Sequence, residues 1–292
     1  MTRPAVDVVV PFAGSAERLR ELAGRLRRLE LEPGDALLVV DNNARPCAVP
    51  PDGPQVLWAG ERPTPAHARN RGTAAGGAEW VVFLDADVIP EPGLLDRLFD
   101  PPPAGRTALL AGDIADAEVP PGGPAMGRWA HMRRLSEQAN TLRLRWGWPQ
   151  TANVACRRAA FDEVGGFRDE LRAAEDADLT YRLERAGWGV ERRDHALVTH
   201  VNRDSALGFA RQKLVHGAGG AWLDREYPGA LPAQRLPGLV WWGVRYLVRG
   251  LAMAARQRNR DRALWACFRP LELIAYELGR SRSNLRPRRT PP

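Results

Sequence analysis

The 292-residue chain is poor in lysine and in cysteine. Lys213 is its one lysine, so the net charge of +7 comes almost entirely from arginine. The three cysteines, Cys47, Cys156 and Cys267, are odd in number and widely spaced, with no CxxC pair among them. This spacing argues against a disulfide framework and against a cysteine metal site, and it favours a reducing compartment, the cytoplasm.

The sequence also lacks a long uncharged apolar run. Its most apolar segment, LPGLVWWGVRYLVRGLAMAA at 236–255, contains Arg245 and Arg249. Because a membrane-spanning helix needs about 20 mostly uncharged apolar residues, we expect no membrane span here. The first residues show no charged-then-apolar signal region. No RNA- or DNA-binding motif accompanies the basic charge, so nucleic acid is not an expected partner.

What the chain does contain is an ordinary globular composition, with 44% hydrophobic and 26% charged residues. Short apolar runs alternate with segments of helical periodicity over the first hundred residues. The predicted strands are 6–10, 36–40, 56–58 and 80–84, and the predicted helices are 15–31 and 65–75. Strands that alternate with helices predict an α/β fold, Rossmann-like, with a mostly parallel sheet flanked by helices.

The alternation is looser farther along the chain. We predict strands at 108–111, 151–156 and 196–199, and helices at 126–146, 158–164 and 175–186. Helices rich in tryptophan and arginine follow at 236–256 and 260–280. The predicted organisation is a catalytic domain over 1–227, a helical extension over 228–280 and a disordered basic tail over 281–292. Within the catalytic domain, the nucleotide-binding half is about 1–100 and the acceptor half about 101–227.

Two carboxylates follow the buried run at 80–84, in the stretch WVVFLDADVIP. Asp85 and Asp87 are two residues apart, so they can face the same side as the strand ends. Ligands of open α/β sheets bind beyond the carboxyl ends of the strands. Hard oxygen ligands suit Mg²⁺ or Mn²⁺. The simpler interpretation, a solvated surface turn, stays open from this triplet alone.

Five segments then occur in order: VVVPF at 8–12, VVDNN at 39–43, ARNRGTAAGGAEWVVFLDADVIP at 68–90, NVACRRAAFDEVGGF at 153–167 and AEDADLTYRLERAGW at 174–188. This series resembles the family 2 glycosyltransferases, nucleotide-sugar enzymes of the GT-A fold, over residues 5–205 or so. The resemblance implies an α/β GT-A domain with a C-terminal helical extension. It also implies a metal-dependent transfer of a sugar from a nucleotide donor to a hydroxyl group.

The resemblance assigns a metal site that uses Mn²⁺ or Mg²⁺. It implies that Asp87 binds the ion directly, that Asp85 contacts the ribose or a metal-bound water, and that His200 completes the coordination. His200 follows the predicted strand at 196–199, and its simpler interpretation is a packed or surface histidine. The other four histidines have no comparable case.

The nucleotide would lie against residues that follow the first two strands. Pro11 ends the first strand, and Asp41 would accept hydrogen bonds from the nucleotide base, which favours UDP while GDP and dTDP stay open. Arg69 would meet the diphosphate or support the loop of Asp85. For Asp41 a turn or cap aspartate is the alternative.

The resemblance also assigns residues that act on the acceptor, and they lie at the start of the predicted helix at 175–186. Asp176 would be the general base that removes a proton from the acceptor hydroxyl, so the transfer would invert the anomeric centre. Carboxylates at a helix start are also favoured by the helix dipole alone. Glu175 would position the acceptor, and Asn153 and Arg157 would contact the donor sugar or the acceptor.

The expected function is therefore the transfer of a single sugar. The chain has no Gln-x-x-Arg-Trp string and no transmembrane bundle, which argues against a processive synthase. The acceptor is open among lipid, glycan, peptide and small molecule, as in cell-envelope or natural-product glycosylation. The alternatives are a sugar-nucleotide nucleotidyltransferase and a catalytically silent binding protein of the same fold. The C-terminal helices form either a flap on the catalytic domain or a surface that touches the inner face of the membrane.

Overall fold

The structure is a computed structural model that describes residues 3–48, 53–287 and 289. The chain divides into two compact units. The first contains residues 1–115, 136–200 and 285–292, and the second contains residues 116–135 and 201–284. The boundary predicted at residue 228 lies within the second unit.

The first unit is built on an eight-stranded sheet of order β3-β2-β1-β4-β7-β6-β8-β5. Its strands are β1 (Val6–Phe12), β2 (Ala36–Asp41), β3 (Gln55–Trp58), β4 (Trp80–Leu84), β5 (Val88–Pro90), β6 (Thr107–Asp116), β7 (Asn153–Arg157) and β8 (Gly189–His200). The four strands β1 to β4 are parallel. Strand β7 is antiparallel to β4 and β6, and β5 is antiparallel to β8. The α/β prediction is confirmed, while the sheet is mixed rather than mostly parallel.

The central parallel strands β1 and β4 are buried on both faces, which is why they read as nearly continuous apolar runs. The one interruption in β1, Asp7, is 3% exposed. Its Oδ2 accepts hydrogen bonds from Arg158 Nη2 at 2.5 Å and from the backbone N of Ala78 at 2.9 Å. A buried carboxylate needs such a paired and hydrogen-bonded environment. Asp7 therefore joins β1 to the start of a helix far along the chain.

Ten helices are described, in chain order α1 (Ala16–Leu26), α2 (Pro65–Ala75), α3 (Leu94–Leu98), α4 (Ala125–Arg133), α5 (Ala139–Leu142), α6 (Arg158–Glu163), α7 (Glu175–Arg185), α8 (Ala206–Glu226), α9 (Leu236–Gln257) and α10 (Arg260–Gly279). Helix α2 lies directly on the sheet. A Cβ at Gly72 would be 2.4 Å from Val9 Cγ1 and 2.9 Å from Val40 Cγ2. The absent side chain therefore lets α2 approach β1 and β2 closely, and this approach fixes the height of α2 above the sheet.

The second unit consists of α4, α8, α9 and α10 with their connecting loops. Its apolar cluster centres on Trp129, which packs edge-on against Phe209 at a ring-centroid distance of 5.4 Å. The single helix predicted for 126–146 is wrong, because α4 ends at Arg133 and the next residue, Arg134, is left-handed, with φ 53°. Among the described helices, none has the length and apolar character needed to cross a membrane.

The tail predicted to be disordered begins at residue 281, and its positions 288 and 290–292 lie outside the described residues. Leu285 forms an isolated antiparallel bridge with Leu171. The backbone N of Arg286 donates to the carbonyl of Glu170 at 2.8 Å. The described part of the tail from Leu285 onward therefore belongs to the first unit.

Candidate active site

The Asp85–Asp87 turn lies between two buried strands. Strand β4 ends at Leu84, and β5 begins at Val88, so the turn is held on both sides by the sheet. Val88 is the register partner of His200 in the antiparallel pair of β5 and β8. The pairing of these two strands therefore brings His200, more than a hundred residues away in the sequence, beside the turn.

Asp87 and His200 face each other across this pair. His200 Nε2 lies 3.4 Å from Asp87 Oδ1. The other ring nitrogen, Nδ1, lies 3.1 Å from Ser136 Oγ, a contact that fixes the orientation of the imidazole. Adjacent ligands of an octahedral ion with bonds of 2.0–2.1 Å lie roughly 3 Å apart. The donor atoms of Asp87 and His200 therefore fit a small divalent cation.

Asp85 has a different partner in this structure. Its Oδ1 accepts a hydrogen bond of 2.6 Å from Arg69 Nη2, and Arg69 Nη1 donates to Glu175 Oε1 at 2.8 Å. Consequently the described residues contain no cluster of three His, Cys, Asp or Glu side chains ready to hold a metal ion. Of the three predicted ligands, Asp87 and His200 converge and Asp85 is turned toward Arg69.

Arg69 is the central residue of the site. It is 2% exposed and extends from the buried face of α2. Its planar guanidinium binds two carboxylates at once, which a lysine could not do in the same geometry. Of the two roles predicted for Arg69, this geometry corresponds to support of the Asp85 loop. The contact links that loop to Glu175 in the first turn of α7.

Helix α7 begins with an unusual backbone. Ala174 precedes it at φ 65°, a left-handed conformation that is uncommon for any residue with a Cβ. The next two residues are Glu175 and Asp176. Such strained positions occur where the surrounding structure must aim particular side chains. Here the strain accompanies the placement of two adjacent carboxylates at the start of one helix.

Asp176 is half-buried and lines a small, mostly apolar pocket with Phe83, Thr151 and Thr180. Burial, with the negative charge of Glu175 adding to it, raises the pKa of Asp176 to about 7. A carboxyl group with this pKa can take up a proton near neutral pH. This property matches the chemistry of a general base.

A second polar cluster, which the sequence did not indicate, joins α2 to the loop before α7. Asp169 accepts hydrogen bonds from Asn70 Nδ2 at 2.6 Å and from Thr64 Oγ1, through its backbone carbonyl, at 2.5 Å. His67 Nδ1 lies 2.9 Å from Asp169 Oδ2, and this hydrogen bond raises the pKa of His67. The cluster therefore holds α2 and the loop before α7 together.

Asp41 is the last residue of β2, whereas β1 continues one residue past Pro11, the predicted end of that strand. Asp41 is 1% exposed, and its carboxylate accepts hydrogen bonds from Asn43 Nδ2 at 2.7 Å and from the backbone N of Cys47 at 2.6 Å. These bonds give Asp41 a local role in ordering its own loop. Pro11 lies within β1 opposite Val40.

Asn153 and Arg157, which the resemblance assigns to the donor sugar or the acceptor, each form contacts within the sheet. Asn153 is 0% exposed, and its Nδ2 donates to the carbonyls of Asp113 and Ala196, at 2.9 and 2.8 Å. It therefore holds β6 and β8 to β7 from inside the sheet, opposite Leu84 at the end of β4.

Arg157 is placed at the opposite end of β7 from the site. It is the register partner of Trp80, the first residue of β4, whereas Asp85 follows the last residue. Trp80 and Asp85 are five residues apart, a distance of roughly 16 Å along the strand. The guanidinium lies over the Trp80 ring at 4.4 Å and donates to Glu79 Oε1 at 2.6 Å. Local sequence could not reveal this placement, because it depends on the antiparallel pairing.

Comparison with known proteins places this chain among glycosyltransferases. A family model described as "Glycosyltransferase like family 2" matches residues 55–219, more than half of the chain. The pre-mycofactocin glycosyltransferase of Mycobacterium tuberculosis is 30% identical over 238 residues, which are 76% of this chain and 48% of that protein. Glycosyltransferase AglE of Haloferax volcanii is 24% identical over 198 residues, 65% of this chain and 64% of that protein. The chain thus spans about half the length of the mycobacterial relative.

Solved structures agree on the fold. The mannosyltransferase PcManGT from Pyrobaculum calidifontis, in complex with GDP-Man and Mn2+, has a TM-score of 0.63 at 17% identity. The match covers 96% of this chain and 88% of that one. A mycobacterial protein has a TM-score of 0.51 at 21% identity, covering 76% of this chain and 74% of that one. At these identities the similarity establishes the GT-A fold alone.

Proposed function

Because the chain belongs to the glycosyltransferase like family 2, we propose that it moves one sugar from a nucleotide-sugar donor to a hydroxyl acceptor. The observation that carries this proposal is Arg69, which binds Asp85 beside the turn and Glu175 beside Asp176. This one side chain links the turn that carries Asp87, the candidate metal ligand, to the helix start that carries Asp176, the candidate base. A chance arrangement of surface carboxylates would not need a buried arginine between them.

Asp176 is the residue that we propose as the general base. Its carboxylate takes the proton from the acceptor hydroxyl while that oxygen forms a bond to the anomeric carbon of the sugar. The bond from the anomeric carbon to the diphosphate breaks, and the nucleoside diphosphate leaves with the electron pair. Attack opposite the leaving group inverts the anomeric centre.

Asp87 and His200 are the residues that would hold a divalent cation, Mn²⁺ or Mg²⁺. Such an ion supplies positive charge that stabilises the diphosphate as it departs. Arg69 holds the Asp85 carboxylate, and with it the turn that carries Asp87, by a charge-assisted hydrogen bond. Glu175, bound to the other nitrogen of Arg69, stays ordered one residue before the base.

The identity of the donor base is open between uracil and guanine. The prediction of UDP depends on Asp41, whose carboxylate is engaged within its own loop. PcManGT, which shares the fold, was solved with GDP-Man. We therefore propose a nucleotide-sugar donor of either base.

A panel of UDP-, GDP- and dTDP-sugars tests this proposal. Each donor is incubated with the chain and Mn²⁺, and release of the nucleoside diphosphate is followed by liquid chromatography. We expect slow hydrolysis of one donor, abolished by EDTA and by Asp87→Ala. The exposed Asp162, replaced by Asn, is the matched control and should not alter the rate. Release of a nucleoside monophosphate instead would favour nucleotidyl transfer and contradict the proposal.

We also propose that the second unit contacts the cytoplasmic face of a membrane through α9. Of the six large apolar side chains that the helix exposes, all but Met253 lie within about 100° of one another around the helix axis: Val240, Trp241, Val244, Val248 and Leu251. Three arginines follow along one edge of this stripe, and α9 contains no Asp or Glu: Arg245, Arg249 and Arg256. Apolar residues bordered by cations complement an anionic bilayer surface. The three cysteines are free, as expected in the cytoplasm.

Sedimentation with lipid vesicles tests this contact. We expect binding to vesicles that contain phosphatidylglycerol, and weaker binding to pure phosphatidylcholine, because the arginines require anionic lipid. Val248→Glu should reduce binding at least about 10-fold, since it places a charge within the stripe. Leu207, 61% exposed on α8, is the control, and Leu207→Glu should bind as wild type. If the stripe instead mediates self-association, the chain would form a dimer that Val248→Glu dissociates, and it would not bind vesicles. That result would contradict the membrane proposal.

A further inference from the structure

The described end of the C-terminal tail crosses the first unit as a strap, which we define as residues 285–287 and 289. Leu285 forms a bridge with Leu171 just before α7. The carbonyl of Arg286 accepts a hydrogen bond from Arg62 Nη1 at 3.0 Å. The backbone N of Arg289 donates to the carbonyl of Glu61 at 2.6 Å. Backbone contacts therefore fix the strap at several points.

Arg289 takes the strap to the carboxyl ends of the parallel strands. Its Nη1 donates to the carbonyl of Asn42 at 3.3 Å and to the carbonyl of Gly60 at 3.0 Å. Asn42 directly follows β2, and Gly60 follows β3 by two residues. Ligands of open α/β sheets bind at this edge. Under the proposed function, it is the edge where the nucleotide of the donor would lie.

The positive charge of the Arg289 guanidinium is not neutralised by a carboxylate among the described residues. Both of its contacts are with neutral carbonyls, and in the part of the chain that the structure describes it forms no ion pair. Arginine has five N–H donors, and Nη1 supplies only two of them. The donors of Nε and Nη2 are therefore available to a ligand. An immobilised cation with spare donors is suited to an anionic group or to the carbonyl of a base.

We propose that Arg289 is a nucleotide-binding residue, supplied to the donor site by the C-terminal strap. Its ligand class is a nucleoside diphosphate. This inference depends on the proposed function, because that function places the nucleotide at the ends of β2 and β3. Arg289 takes no part in bond making, so it acts on donor affinity and not on the chemical step.

Calorimetric titration of UDP and GDP into the full chain with Mn²⁺ tests the proposal. We expect Arg289→Gln to weaken binding of the preferred nucleotide about 10-fold, the usual effect of losing a charge-assisted hydrogen bond. The matched control is Arg286→Gln, because the Arg286 side chain is exposed and its strap contacts are made by the backbone alone. It removes the same charge and should change affinity less than about 2-fold.

Steady-state kinetics and folding measurements on the same variants separate a loss of donor binding from a loss of structure. Arg289→Gln should raise the donor KM with kcat within 2-fold of wild type, and its circular dichroism and melting temperature should match those of Arg286→Gln. The strap proposal alone would be overturned if Arg289→Gln bound the nucleotide as tightly as wild type, or more tightly. It would also be overturned if Arg286→Gln lost as much affinity as Arg289→Gln. If the wild-type chain binds neither nucleotide with Mn²⁺, the proposed function and the strap proposal both fail.

Discussion

Replacing Asp176 with Asn should remove sugar transfer and, at the same time, make the protein more stable at alkaline pH. The side chain lines a mostly apolar pocket beside Glu175, and these surroundings raise its pKa from 3.8 to about 7. Asn has nearly the same shape but no charge to bury. The same change therefore removes the candidate base and relieves the cost of its ionisation.

The sign and size of the stability effect follow from proton linkage. A raised pKa means that the folded state binds the proton more tightly than the unfolded chain, so stability is lost as pH rises from about 4 to about 7. A shift of roughly 3 units at 1.36 kcal/mol per unit gives about 4 kcal/mol in total. Between pH 5 and pH 8 the expected loss is about 2 to 3 kcal/mol. Asp176→Asn should lack this component.

Urea unfolding at pH 5, 6, 7 and 8 in the presence of EDTA measures the effect. Relative to wild type, Asp176→Asn should gain about 2 to 3 kcal/mol in the free energy of unfolding between pH 5 and pH 8. Asp162→Asn removes the same charge from an exposed position and should follow the wild-type curve. Transfer by wild type should rise with pH and level off above about 7. Parallel stability curves for wild type and Asp176→Asn would refute the perturbed pKa, and wild-type transfer by Asp176→Asn would refute its role as base.

Three further changes test the supports of the site. Asp87→Ala should abolish the rise in melting temperature that a nucleoside diphosphate gives with Mn²⁺, and an unchanged rise would remove Asp87 from the metal site. Arg69→Met leaves two carboxylates without their shared cation and should cost roughly 3–5 kcal/mol in urea unfolding, whereas a cost below 1 kcal/mol would mean that the pair is solvated. Gly72→Ala places a Cβ 2.4 Å from Val9 Cγ1, so we expect a loss of about 1–3 kcal/mol and a higher donor KM as α2 shifts. Wild-type values for both quantities would show that α2 can move without effect.

Local patterns predicted the parallel half of the fold well. The predicted bounds of α2 and β4 agree with the structure at 65–75 and 80–84. Helix α2 has a Thr64 cap whose oxygen accepts from His67 N, followed by proline at the first helical position, and both are signals in the local sequence. Strand β4 is a continuous apolar run between polar turns, so its limits are equally local.

The antiparallel half could not be predicted in the same way. Strand direction depends on which strands pair, and nothing in the run at 153–157 specifies that β7 lies antiparallel to β4. That pairing removes Arg157 to the far end of the sheet and encloses Asn153 within it. The motif at 153–167 therefore identified β7, while the register of β7 against β4 determines where along the strand each of its side chains lies.

The parts of the site were predictable one by one, but their connections were not. Asp85, Arg69 and Glu175 were each predicted from the resemblance, yet the two ion pairs that join them need packing between α2, the turn after β4 and α7. The cluster around Asp169 gave no signal, because its contacts link residues far apart in sequence. Long-range contacts of this kind are set by tertiary structure alone.

One measurement tests directly whether Asp87 and His200 hold a divalent cation against the diphosphate of the donor. Crystals grown with MnCl₂ and the preferred nucleoside diphosphate would be measured at the manganese absorption edge. We predict an anomalous peak ligated by Asp87 and His200 Nε2, with the diphosphate on the same ion. A bound nucleotide with no manganese at these two side chains would contradict this prediction.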